Sequence, residues 1–222
     1  MEQSLFCCIL FQGLEEPLLS DALAFFDAKE TGFHKGEQLI RMGDPWPAFG
    51  LVLEGVVSVC SLDAEGNRLI MANVSAGETF GESLSYLDVA ESPIYADAGS
   101  DCRVLWLTTR RLRTEEEGDV GDLLRQRFIT MMARRTLKLN DRIQVLSKKT
   151  LREKLMTFFA QQVRESGALF FEVPMDRNDM ADYMGVDRSA LSRELSRLKR
   201  DGVLDFKKNR FEILSRRHLS ER

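Results

Sequence analysis

Histidine is nearly missing from this chain of 222 residues, which holds only His34 and His218. A metal-dependent β-barrel enzyme of the cupin kind needs two or three histidines converging with a carboxylate, and His34 alone in the strand-rich part cannot supply them. Haem is disfavoured by the same scarcity. No Gly-x-Ser-x-Gly elbow and no Cys–His pairing marks a nucleophile, so the chain reads as a non-enzyme. Four cysteines, Cys7, Cys8, Cys60 and Cys102, are too few for a disulfide scaffold and default to thiols in a reducing compartment. No apolar run approaches the eighteen or so residues of a membrane span. The opening Met1 to Cys8 lacks a basic leader, and Glu15-Glu16 arrive before any small-residue cleavage pattern, which points to the cytoplasm.

What is present is an uneven distribution of charge. The formal net charge is only −4. Residues 1–118 carry −12, residues 119–146 carry +3 and residues 147–222 carry +5. A basic C-terminal third behind an acidic front points to polyanion binding at one end, with the acidic part discouraging nonspecific contact.

Between Phe33 and Leu107 the glycines Gly36, Gly43, Gly55, Gly66 and Gly77 separate short runs rich in Val, Ile, Leu and Phe. That spacing predicts a β-sandwich or barrel. The clearest strands are 50–55, 56–62 and 68–74, the last two joined by a polar turn at 63–67. Leu18, Leu19, Ala22, Leu23 and Phe26 predict a short amphipathic helix within 14–26. From Asp119 the pattern becomes a helix of about 42 Å over residues 119–146. Leu124, Phe128, Met131 or Met132, Leu139, Ile143 and Leu146 recur at threes, fours and sevens, and Arg125, Arg127, Arg134, Arg135, Lys138 and Arg142 fill the other faces; Leu124, Phe128, Met131, Met132, Leu139 and Ile143 are the expected dimer contacts. A stripe this long predicts packing on a second copy of the chain.

A further helix (151–166) and a short strand (169–173) precede Pro174. Residues 177–184 then read as a short helix, Gly185 as a tight turn, and Asp187 as the cap of a second helix over 188–200. Ala190, Leu191, Leu195 and Leu198 make its inward stripe. Its outward face carries Arg188, Ser189, Ser192, Arg193, Ser196 and Arg197, short hydroxyls between guanidiniums. Such a surface suits a major groove, where Arg forks guanine and Ser reaches base edges or phosphate. Two strands, 203–206 and 211–214, flank a turn tipped by Lys207, Lys208 and Arg210, a wing able to grip phosphates.

At Val186-Asp187-Arg188-Ser189-Ala190-Leu191-Ser192-Arg193-Glu194-Leu195 the chain resembles the recognition helix of the CRP/FNR superfamily of bacterial transcription regulators. Gly77-Glu78-Thr79-Phe80-Gly81-Glu82-Ser83 is similar to the end of that superfamily's cyclic-nucleotide-binding β-roll. The resemblance implies an α+β fold. A jelly-roll (double-stranded β-helix) sensor would occupy 1–118, a dimerisation helix 119–146 and a winged helix-turn-helix 147–222. It implies a homodimer reading a two-fold DNA operator, with half-sites about one helical turn apart. Arg193 matches the guanine-reading arginine, Ser192 the serine beside it, and Arg188 a phosphate- or base-contacting position. Ser189 departs from the glutamate of well-known members, so the family's half-site does not carry over. RNA polymerase is a further partner of such regulators, but no spacing here marks a contact with it.

The resemblance also places an effector pocket at Gly81, Glu82, Ser83 and Ser92. In cyclic-nucleotide-binding relatives an Arg-Ser pair neutralises the phosphate, whereas here Ser92 and Pro93 stand in those places. A buried phosphate beside Glu82 and Glu91 would lack its cation, which argues against cyclic AMP. The adjacent Cys7 and Cys8 do not match the spaced thiolates of an iron–sulfur sensor, and Cys60 and Cys102 read as core. An unidentified small effector, a redox signal or no effector at all remain open. A cyclic-nucleotide-responsive adaptor acting through protein contacts is the competing reading.

Overall fold

The computed structural model describes residues 2–62, 65–66, 68–114, 118–173 and 175–214. Most of the expected 63–67 turn, Pro174 and His218 lie outside the described residues. The chain divides into two compact units, Met1–Met132 and Ala133–Arg222.

The first unit is built on two four-stranded antiparallel sheets. One is ordered β1 (Lys29–Phe33), β8 (Cys102–Thr108), β3 (Ala48–Glu54), β6 (Thr79–Phe80). The other runs β2 (Gln38–Ile40), β7 (Tyr95–Ala98), β4 (Val56–Leu62), β5 (Arg68–Ser75). Side chains alternate across a strand, so β3 and β8 serve two cores. Val52 and Val104 point between the sheets to meet Val57, Val59, Val74, Ala96 and Ala98. Leu51, Leu53, Leu105 and Leu107 point the other way, against Leu10, Phe11, Ala22, Phe26, Leu124 and Phe128. Burial on both faces explains why Phe49 to Leu53 is apolar without alternation. Gly55 turns β3 into β4 at φ +79, and a Cβ there would come within 2.2 Å of the Asp101 carbonyl oxygen.

The helix expected within 14–26 is observed as α2 (Leu18–Phe25), and it is preceded by α1 (Glu2–Cys7), which carries no helical period long enough to read. Another short helix, α3 (Glu82–Tyr86), follows β6. The long helix is α4 (Asp119–Leu146). Its apolar stripe divides into two faces, and this corrects the expected interface. Leu124 (0 % exposed) and Phe128 (4 %) are sealed inside the chain's own core, Phe128 against Phe49 and Tyr86, so neither is available to a second copy. Met131 and Met132 are partly buried against that core. Leu139 (56 %) and Ile143 (62 %) are exposed, together with Ile129 (67 %) and Leu146. Ile129, Met132, Thr136, Leu139, Ile143 and Leu146 are spaced 3, 4, 3, 4 and 3, the period of a coiled-coil seam. Arg125 and Arg127 do more than fill a face: Arg125 donates to the Arg111 and Thr114 carbonyls, and Arg127 to those of Ile9, Leu10 and Gln12.

The second unit contains α5 (Leu151–Ser166), β9 (Phe170–Glu172), α6 (Arg177–Met184), α7 (Arg188–Arg200), β10 (Leu204–Lys207) and β11 (Arg210–Ile213), with sheet order β10-β11-β9. A Thr150/Glu153 capping box starts α5 and Gly167, at φ +71, ends it. Phe158, Phe159, Met180, Met184, Leu191, Leu195, Leu198 and Phe211 form one core.

Candidate nucleic-acid interface

Local signals fix the two-helix turn. Asp176 and Asp179 form a reciprocal capping box at the start of α6, and Gly185 ends it in the left-handed region at φ +65. Lys154 Nζ donates to the Met184 carbonyl oxygen at 2.9 Å, closing the C-terminal end. Asp187 occupies the N-cap position of α7 but makes no side-chain capping bond, contrary to the expected role. α7 is held by its apolar face, because Leu191, Leu195 and Leu198 are all fully buried.

Burial of those leucines fixes the rotation of α7 and turns the other side outward. Arg188, Ser189, Ser192, Arg193, Ser196 and Arg197 are all exposed on it. The Ser196 hydroxyl donates to the Ser192 carbonyl oxygen at 2.9 Å. Arg197 pairs with Glu194 at 3.4 Å, and Arg152 bridges Glu194 and Asp201. Among the described residues Arg188 and Arg193 form no ion pair, so their guanidiniums present charge to solvent.

The wing is a tight hairpin in which Lys207 pairs with Arg210 across a two-residue loop of Lys208 and Asn209. Lys207 and Lys208 are exposed. Arg210 is tied to Glu172 on β9, Nε to Oε2 at 3.0 Å, and its guanidinium holds that carboxyl below the ordinary range. Its charge is therefore partly answered within the unit. Lys199 pairs with Asp205 and lowers that carboxyl in turn.

Two polar residues at the start of α6 escaped the sequence reading. Arg177 and Asn178 line a cleft of about 520 Å³ together with Arg188, Lys208 and Asn209. Arg177 is half-buried and its guanidinium lies 5.2 Å from the ring centres of both Phe206 and Phe211. No sequence period signals such a residue, because its neighbours come from a hairpin about thirty positions away.

In the first unit the structure places the residues expected to line an effector pocket as follows. Gly81 is left-handed (φ +81) under the buried Trp46, and a Cβ on it would lie 2.1 Å from the indole Nε1. That indole nitrogen has no hydrogen-bond partner among the described residues. Glu82 is buried and accepts a short hydrogen bond from the Thr79 hydroxyl, which also lies 3.9 Å from Met131 Sδ. Ser83 is exposed. Ser92 is buried, and its hydroxyl donates to the Ile94 carbonyl oxygen at 2.6 Å. Cys7 is exposed while Cys8, Cys60 and Cys102 are buried, and burial pushes the Cys8 thiol up to about 11. Among the described residues no three His, Cys, Asp or Glu side chains converge as metal ligands.

An outward Arg/Ser helix behind a glycine turn, a basic wing and a two-sheet roll followed by a long helix define a class: a winged helix-turn-helix regulator with a β-roll sensor. Comparison with known proteins agrees over both units. Residues 30–119 match the cyclic nucleotide-binding domain and residues 151–222 the Crp-like helix-turn-helix domain. The chain belongs to the CRP/FNR superfamily of transcription regulators, which are DNA-binding proteins and not enzymes. It is 28 % identical to the transcriptional activator protein anr of Pseudomonas aeruginosa over 185 residues, 81 % of this chain and 74 % of that one. It is 26 % identical to the fumarate and nitrate reduction regulatory protein of Vibrio cholerae over 219 residues, 96 % and 85 % of the two chains. Among solved structures, FixK2 from Bradyrhizobium japonicum is similar at 27 % identity, with a TM-score of 0.53 over 86 % of this chain and 95 % of that one.

The matched sensor family implies a cyclic nucleotide, and the residues present do not fit one. The hydroxyl of Ser92 is closed on Ile94, the Glu82 carboxylate is closed on Thr79, and an indole rests on Gly81. By the resemblance, Ser92-Pro93 stand where cyclic-nucleotide-binding relatives carry the Arg-Ser pair that neutralises the phosphate. The four thiols likewise form no shared ligand set: Cys7 is exposed, Cys8, Cys60 and Cys102 are buried, and among the described residues no three of the His, Cys, Asp and Glu side chains gather at one point.

Proposed function

We propose that this chain is a cytoplasmic, sequence-selective reader of double-stranded DNA that works as a homodimer, with residues 1–118 as sensor, α4 as dimer helix and residues 147–222 as reader. The observation that carries this is the pair Arg188 and Arg193, without an ion pair among the described residues, on one exposed face with Ser189 and Ser192, on a helix whose rotation is locked by three buried leucines. α7 would enter the major groove, with Arg193 forking a guanine and Ser189 and Ser192 close enough to approach base edges. Lys207, Lys208 and the Asn178 side of the cleft would hold backbone phosphates, and Arg210, shared with Glu172, would contribute less. Dimerisation is assigned to the Ile129–Leu146 seam, which buries exposed apolar surface at coiled-coil spacing.

The effector is not a cyclic nucleotide on this reading, so DNA affinity should be unchanged by added cyclic AMP. The experiment is retardation of the chain's own promoter DNA against scrambled DNA at fixed salt. Preference for promoter DNA, lost in Arg193→Ala at a cost of about 1–3 kcal/mol, supports the reading. Equal retardation of both DNAs, insensitive to that substitution, overturns it. The competing adaptor reading predicts the reverse pattern, with a fluorescent cyclic nucleotide bound and DNA ignored.

A further inference from the structure

The wing tip holds a conformation that its own residues do not favour. Lys208 sits in the left-handed region at φ +56, where a side chain other than glycine is uphill. Each half of the two-residue loop has an anchor. Asn209 is anchored on β9, its Nδ2 donating to Glu172 Oε1 at 3.0 Å and to the Val173 carbonyl oxygen at 3.2 Å, while Val173 N–H donates back to the Asn209 carbonyl. Lys208 is anchored on α6, because Arg177 Nη2 donates to its carbonyl oxygen at 2.6 Å. The same guanidinium is laid against Phe206 of β10 and Phe211 of β11, one on each strand of the wing. A stacked, planar, bidentate-capable group is the side chain suited to this place, and lysine does not reproduce it.

We infer that Arg177 is the positioning residue of the wing. It ties the first turn of α6 to the Lys208 carbonyl and to both wing strands, and thereby sets where Lys207 and Lys208 meet the DNA backbone. The inference rests on the DNA-binding reading above for its consequence, but not for its geometry. Burial lowers the pKa of this guanidinium, consistent with a group enclosed by rings. An arginine that gripped a phosphate by itself would have its fork turned to solvent. Here one arm of the fork is committed to Lys208 O and the other lies 3.8 Å from Met180 Sδ.

The test is a cycle of full-length variants: Arg177→Met, which keeps apolar packing on the two rings but has no donor, the double variant Lys207→Ala/Lys208→Ala, and the three changes combined. For each, the slope of log affinity against log salt is measured on promoter DNA. If Arg177 positions the lysines, Arg177→Met lowers the slope as much as the double variant does, about 1.8 per bound reader unit for two phosphates, and the combination lowers it no further. If Arg177 is itself a phosphate ligand, the combination falls by about 0.9 more, and the inference is overturned. An unchanged slope in Arg177→Met, with the wild type normal, also overturns it and leaves only packing. Arg177→Lys, which keeps the charge and a donor, should recover part of the slope, and it serves if the methionine variant does not fold.

Hydrogen exchange gives a readout free of DNA. Arg177→Met should speed exchange of the Val173 amide, which is bonded to the wing loop, at least tenfold while leaving the α7 amides unchanged. Equal protection of Val173 in both proteins overturns the pin. Absence of salt-dependent DNA binding in the wild type would defeat the DNA-binding reading alone, and exchange would still decide the geometry.

Discussion

The β-roll and the winged helix treat their polar side chains in opposite ways. In the roll, the groups that the family's sensor motif would turn to a ligand are closed on neighbours of the same unit: Glu82 on Thr79, Ser92 on Ile94 and Gly81 under Trp46. In the reader, α7 leaves Arg188 and Arg193 without ion pairs among the described residues, and the wing leaves Lys207 and Lys208 exposed. A buried polar group must be paired or it costs stability, whereas an exposed cation is held ready in water at little cost. The same family motif can therefore survive as framework in one unit while its counterpart in the other keeps the chemistry. Charge follows that division, with −12 over residues 1–118 and +5 over residues 147–222.

The largest effect that would sharpen this contrast lies along α4. Phe128→Ala should destabilise the first unit by about 3–5 kcal/mol, because it removes a ring packed between Phe49 and Tyr86. Ile143→Asp should leave thermal unfolding of a dilute monomer nearly unchanged and shift the protein from dimer to monomer in sedimentation at micromolar concentration. The two variants separate a residue used by the fold from one used between copies. A dimer that survives Ile143→Asp would break the assignment of the seam.

That division of α4 marks where sequence reasoning stops. The helix and its apolar period were legible because no Pro or Gly interrupts 122–146 and apolar residues recur at threes and fours. Which turns face the roll was not, because Leu124 and Phe128 share the periodicity of Leu139 and Ile143, and only the position of Phe49 distinguishes them. The strands were legible from their glycine punctuation, and the face of α7 from Arg and Ser alternating with buried leucines. Short α1 and α3 fall below the length at which a helical period can be counted. Arg177 is legible only once β10 and β11 fold back on α6.

Next in size is the reader's own surface. On the DNA-binding reading Ser189 approaches the bases, so Ser189→Glu should change the preferred base at its position by about 1–3 kcal/mol without changing the salt slope, since no phosphate contact is altered. A selection from randomised half-sites reads the change. An unaltered preference would mean that Ser189 does not face the bases.

A cap sets the next step down. Thr150→Ala removes the hydroxyl that accepts from the Glu153 amide at 3.2 Å, and should cost the reader about 1 kcal/mol. The roll, which carries no part of this cap, should melt as before. A lowered midpoint for both units would show that they unfold together.

The smallest effect is in acid, and its sign follows from three carboxylates of the reader. Glu153 is held below the ordinary carboxylate range by the Thr150 amide and hydroxyl, Glu172 by Arg210 and Asn209, and Asp205 by Lys199 and the Phe206 amide. A carboxyl whose folded pKa is depressed contributes stability above its unfolded value and loses that contribution as pH falls through its folded value. The three groups are exposed, so solvent screens them and each contribution is small. The reader's midpoint should therefore be flat from neutrality down to the unfolded carboxylate range, near 4, and decline below it. Glu172→Gln should shorten that decline, because its carboxylate no longer takes up a proton, and should also release Arg210 from its partner. Released, Arg210 joins the exposed Lys207 and Lys208 as a third cation of the wing free to meet phosphate, so the same variant should bind DNA more steeply with falling salt than the wild type. An unchanged salt slope in Glu172→Gln would mean that Arg210 faces away from the backbone even when free.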